Sequence, residues 1–133
     1  MSGAAAYDLA RLKSALAGFK GEYNPAIVKQ KSRDFFWYSP VLKRELDHVT
    51  ADLIVSPKSE AEVIEVLKTC FELGVPVTPR GSGTGNYGQA MPLSRGIVLN
   101  LAEMTALKSV DRARAVAEPG AVLAAIDKET RKG

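Results

Sequence analysis

The stretch Pro79-Arg80-Gly81-Ser82-Gly83-Thr84-Gly85-Asn86-Tyr87-Gly88-Gln89 constrains this chain more than any other. Glycine adopts backbone angles closed to other residues, and without a Cβ it lets a ligand approach the main chain. Closely spaced glycines can therefore turn successive N–H groups toward one anion. Such a segment is a loop, and its natural ligand is a phosphate.

The residues on either side place that loop in an α/β frame. Leu53-Ile54-Val55 is a short apolar run that reads as a strand. Ser59 and Glu62 then form the hydroxyl-to-carboxylate spacing of a capping box, which starts a helix. Val63, Val66, Leu67, Cys70 and Phe71 give that helix an apolar face, and Gly74 followed by Pro76 ends it. Pro76-Val77-Thr78-Pro79 is a second extended segment, too rich in proline for a long central strand, and it delivers the loop. Gly96-Ile97-Val98-Leu99-Asn100-Leu101 is a third strand. Strand, helix, strand, loop and strand make a small unit in which parallel pairing is expected. Residues 108–111 and 114–118 read as a hairpin, and residues 121–131 as a last helix.

The first 48 residues read differently. Leu9, Leu12, Leu16 and Phe19 recur at helical spacing, which predicts an amphipathic helix ending between Gly18 and Gly21. From Glu22 to Arg44 no period is sustained, Pro25 and Pro40 interrupt, and Phe35-Phe36-Trp37-Tyr38 forms a dense aromatic cluster. We read this as an irregular arm that docks its aromatics on a core or a partner. Two regions follow, an arm over residues 1–48 and an α/β unit over residues 49–133.

Composition excludes several classes. With 133 residues, 46% hydrophobic and 25% charged, the chain reads as one small globular unit. The net charge of +3 comes from the arm, which carries eight Lys/Arg against five Asp/Glu, whereas residues 49–133 carry ten of each. No basic stripe with interleaved aromatics supports nucleic-acid binding. A lone Cys70 and a lone His48 leave no ligand set for a thiolate or imidazole metal cluster; Cys70 reads as an inert buried thiol and His48 as structural or surface. No stretch has membrane-spanning length and no signal peptide is seen, so a cytoplasmic location is expected.

Three phosphate-binding patterns compete for the loop. The P-loop fails because no Gly-Lys-Ser/Thr follows and the loop holds no lysine. Gly83-Thr84-Gly85-Asn86-Tyr87-Gly88 matches the dinucleotide fingerprint, but that fingerprint must open a helix, and Pro92 interrupts the short interval before Gly96. A nest remains, with main-chain N–H groups around a diphosphate, Ser82 and Thr84 hydroxyls as further donors and Arg80 as counter-charge.

Residues 76–85, Gly88-Gln89, residues 96–101 and Met104 resemble the first lobe of the FAD-binding domain shared by the vanillyl-alcohol oxidase and p-cresol methylhydroxylase family, which includes glycolate-oxidase-like FAD-linked oxidases. The resemblance extends upstream through Ala51, Pro57 and Ser59 and downstream through Val110-Asp111 and Val116 to Gly120. It implies an incomplete α/β domain that binds FAD. The pyrophosphate would lie on N–H groups of Arg80, Gly81, Ser82, Gly83, Thr84 and Gly85, with further contacts near Tyr87, Gly88 and Gln89. Pro57 and Pro119-Gly120 would lie near the adenosine end. Members that attach flavin through this loop carry a histidine just after the glycines. Thr84 stands there instead, which implies non-covalent FAD.

The family's second lobe and substrate domain, with its catalytic residues, have no counterpart in these residues. The chain is thus expected to be the FAD-binding portion of an oxidoreductase acting on a small alcohol or hydroxy acid, inactive alone and partnered by the remaining domains. Uncovered strand edges would favour self-association. The alternative is a non-enzymatic nucleotide-binding or interaction module that assembles with a second chain.

Overall fold

The structure, a computed structural model, describes residues 6–132. Its centre is a four-stranded sheet built from β1 (Gly21–Glu22), β2 (Leu53–Val55), β3 (Val77–Arg80) and β4 (Ile97–Asn100), in the order β1-β2-β4-β3. β4 runs parallel to both neighbours, pairing Val55 with Leu99 on one side and Arg80 with Asn100 on the other. β1 is antiparallel to β2. Proline-rich β3 takes an edge, where one side of a strand needs no ladder donors.

Alternation along β2 and β4 sends successive side chains to opposite faces. Leu53, Val55, Ile97 and Leu99 pack with Leu12 of α1 (Leu9–Ala15), with Leu16 just past its end and with Val66 and Cys70 of α4 (Glu60–Leu73). Ile54 and Val98 face the other way, toward Val28 of α2 (Pro25–Lys31). Both faces are covered, which explains why these strands read as unbroken apolar runs.

α4 starts and stops as its sequence predicts. Ser59 Oγ accepts the Glu62 N–H at 3.2 Å, and Gly74 caps the end at φ +66°. The return bond of the capping box differs: Glu62 Oε2 accepts from the Lys58 N–H at 2.8 Å, one residue ahead of the cap. The apolar face is also narrower than its spacing suggests. Val66 and Cys70 are buried, whereas Ile64, Leu67 and Phe71 are exposed, Phe71 at 88%.

The first third is more ordered than the sequence predicts. α1 ends at Ala15, earlier than expected, because the Leu16 N–H closes it and tight turns carry the chain on to Phe19. The stretch read as irregular forms α2, a 3-10 turn at Phe36–Tyr38 and α3 (Pro40–Leu46). Pro25 and Pro40 begin these helices; the Asn24 and Ser39 side chains cap them. Their apolar residues stand side by side, Ile27-Val28 and Val41-Leu42, and sustain no helical spacing, unlike the leucines of α1. Of the four aromatics only Phe36 is buried, with Val49 and Met91; Phe35, Trp37 and Tyr38 stay exposed.

Beyond the sheet, β5 (Leu107–Val110) and β6 (Ala115–Ala117) form the expected hairpin, and α5 (Leu123–Thr130) lies against both strands. Among the described residues no helix is long and apolar enough to cross a membrane.

Candidate functional site

Three parallel strands end on the same side of the sheet, and the glycine loop begins there. β3 stops at Arg80, beside the last residue of β4, Asn100, whose side-chain nitrogen donates to Ser56 Oγ at 3.1 Å just past β2. The crevice outside the carboxyl ends of parallel strands is where α/β sheets receive ligands. The Pro119 turn reaches the same place: its carbonyl would lie 3.8 Å from a Cβ on Gly81. Gly120 is held by its N–H to Met104 O at 2.8 Å. Gly81, Pro57 and Pro119, far apart in sequence, thus gather at one end of the sheet.

Within the loop, among the described residues, the N–H groups of Ser82, Gly83, Thr84, Gly85 and Asn86 donate to no protein acceptor. Five consecutive donors without an internal partner leave this stretch of main chain available to an anion. Gly83 has φ +68°, a left-handed conformation that a side chain would strain. A Cβ there would also collide with the Arg80 guanidinium, which packs against the loop at this point. That guanidinium donates to the Arg33 carbonyl. Burial pushes the Arg80 pKa down, and the nearby Asp34 charge pushes it up.

Ser82 and Thr84 are exposed, as an anion donor must be. Tyr87 is exposed at 70%, so its ring leaves the loop open. Gln89 braces the loop from within. Its Oε1 accepts the Tyr87 N–H at 3.0 Å and lies where a Gly85 Cβ would approach to 2.7 Å. Gly88, at φ +80°, is packed by Leu46, which a Cβ would meet at 2.9 Å.

What lies beneath the loop has no signature in the sequence. Phe35 donates its N–H to Gly85 O at 2.8 Å. Asp34 is buried, its Oδ1 accepting the Phe36 N–H at 2.9 Å. Arg33 is paired with Asp47 and sits 4.7 Å over the Phe36 ring. The Asp34–Phe36 and Arg33–Phe36 contacts are local, but the Phe35–Gly85 and Arg33–Asp47 contacts join segments apart in the chain, and no local pattern could reveal those. His48 and Cys70 lie outside this site: Cys70 is buried in the core, where burial pushes its thiol up to about 11.

A family model for an FAD binding domain matches residues 51–133. The chain belongs to this FAD-binding family. An uncharacterized FAD-linked oxidoreductase of Mycobacterium tuberculosis is 41% identical over 76 residues, which is 56% of this chain and 17% of that protein. Glycolate oxidase subunit GlcD of Escherichia coli is 42% identical over 71 residues, 51% of this chain and 14% of GlcD. The chain therefore spans under a fifth of the length of these relatives. Crystalline p-cresol methylhydroxylase has the same fold over 92% of this chain and 24% of its own, with a TM-score of 0.70 at 18% identity. The mixed α/β unit is thus part of the FAD-binding domain that the sequence resembles.

For this FAD-binding domain the loop fits the cofactor's diphosphate on chemical grounds. Five free N–H groups, two exposed hydroxyls and a guanidinium against the loop complement two phosphate charges.

Proposed function

We propose that this chain is the diphosphate-binding part of an FAD-dependent oxidoreductase that acts on a small alcohol or 2-hydroxy acid. The unpartnered N–H groups of residues 82–86 at the carboxyl end of a parallel sheet carry this reading. The names of relatives such as glycolate oxidase subunit GlcD support the substrate class.

In this reading the N–H groups of Ser82, Gly83, Thr84 and Gly85 and the Ser82 and Thr84 hydroxyls bind phosphate oxygens, while Arg80 supplies positive charge from behind the loop. Each hydrogen bond to a charged oxygen contributes about 1.5–3 kcal/mol, less the cost of holding the loop in shape. Gly88 and Gln89 keep that shape. When bound, FAD supplies hydride acceptance, and this chain's share is to anchor the cofactor's non-reacting end. The groups that handle substrate belong to parts of the longer protein outside these residues.

Thr84 occupies the place where loop-linked flavoproteins carry histidine, so the cofactor is held without a covalent bond. Titration calorimetry of the chain with FAD and with ADP tests the assignment: comparable affinity for both is expected. Acid precipitation of the flavin-loaded protein should leave all flavin in the supernatant. Absence of binding to either nucleotide overturns the proposal, and flavin retained in the pellet overturns non-covalent attachment.

A further inference from the structure

Beneath the glycine loop lies a buried carboxylate that phosphate binding does not use. Asp34 is 4% exposed. Its Oδ1 accepts the Phe36 N–H, but its Oδ2 is buried without a hydrogen-bond partner among the described residues. That oxygen would lie 3.4 Å from a Cβ on Gly85.

A carboxylate withdrawn from water and short of donors is costly unless a cation stands near. Arg80 is that cation. Its guanidinium packs against Gly83 and donates to the carbonyl of Arg33, the residue before Asp34. The Asp34 charge favours the charged guanidinium across the underside of the loop, against the cost of its burial. The surrounding contacts keep them there: Phe35 N–H on Gly85 O, and Leu46 against Gly88.

We propose that Asp34 is a positioning residue of the cofactor loop, its buried carboxylate paired through space with Arg80 to hold residues 83–85 in the shape that leaves their N–H groups free. The ligand part of this inference rests on the diphosphate reading above; the loop-holding part stands without ligand.

Asp34→Asn separates charge from shape, because the amide oxygen still caps the Phe36 N–H. In the unliganded chain, hydrogen exchange of the Phe35 amide should speed up about tenfold in this variant while the β4 amides keep their protection. Asp34→Asn/Arg80→Gln, which removes both charges, should bring Phe35 exchange back to within about threefold of wild type. A purely structural cap would show neither the effect of Asn nor the rescue. FAD affinity should fall about tenfold in Asp34→Asn, and the double variant should bind no more weakly than Arg80→Gln alone.

Phe35 exchange within about twofold of wild type in Asp34→Asn, or single effects that multiply in the double variant, overturns the inference. Should Asp34→Asn lose β4 protection, Arg80→Gln decides: a loosened Phe35 amide over an intact β4 supports it, and an unchanged one overturns it. A wild-type chain that binds no FAD overturns the proposed function, while the exchange measurements still decide whether Asp34 holds the loop.

Discussion

Phe35 donates its backbone N–H to the carbonyl oxygen of Gly85 at 2.8 Å, joining the N-terminal arm to the middle of the glycine loop. Glycine permits many loop shapes; this bond helps to select one. The arm is therefore part of the proposed cofactor site, although none of its side chains carries a recognisable phosphate-binding pattern. Changes in the arm should be felt at the loop before they are felt in the sheet.

Gly83→Ala tests the loop from its own side. Alanine at φ +68° costs about 1–2 kcal/mol, and its methyl group must also displace the Arg80 guanidinium. Flavin-fluorescence titration should show affinity at least about tenfold weaker, while far-ultraviolet circular dichroism stays that of the wild type. Unchanged affinity would contradict the assigned loop geometry.

Leu12→Ala tests how firmly the first helix belongs to the core. Leu12 is fully buried against β2, β4 and α4, so its truncation should cost about 2–5 kcal/mol in urea unfolding. Leu123→Ala, at a site 82% exposed, should stay within about 0.5 kcal/mol of wild type. A small loss at Leu12 would mean that α1 docks only loosely.

Alkaline pH should destabilise the protein through two acids, the buried Cys70 thiol and the half-buried Tyr7 hydroxyl. Burial pushes the Cys70 thiol up to about 11. Tyr7 is pushed up to about 12, first by burial and then by its hydrogen bond to Asp52 and that residue's charge. Both groups keep their protons in the folded chain at pH values where the unfolded chain has released them. Their contribution is thus complete below the ordinary values of 9.0 and 10.0 and is lost as pH rises toward 11 and 12. Thermal midpoints should fall across that window, and Cys70→Ala should flatten the lower part of the decline. An equally steep decline in Cys70→Ala would remove the thiol from this account.

What could be read from the sequence was whatever local chemistry determines. Ser59 and Gly74 bound α4, unbroken apolar runs mark β2 and β4, and Pro92 rules out a helix after the glycines. α2 and α3 escaped because Ile27-Val28 and Val41-Leu42 stand side by side and sustain no helical spacing, even though Asn24-Pro25 and Ser39-Pro40 are good starting signals. β1 has two residues and exists because Gly21 and Glu22 find Val55 and Ile54. Asp34 was invisible for a related reason: the role proposed for it depends on Gly85 and Arg80, which only the folded chain brings near it. The exposure of Phe71 likewise depends on how α4 sits on the sheet rather than on helical spacing.

The strand order β1-β2-β4-β3 places the last-made member of this sheet between the two parallel strands that precede it in the chain. As the polypeptide is synthesised, β2 and β3 have no partner for these edges until Asn100 has emerged, and the glycine loop has no fixed exit until then. Sheet and loop must consequently form together. A shorter nascent chain would contain every residue of the proposed phosphate nest and still lack the strand that fixes its exit.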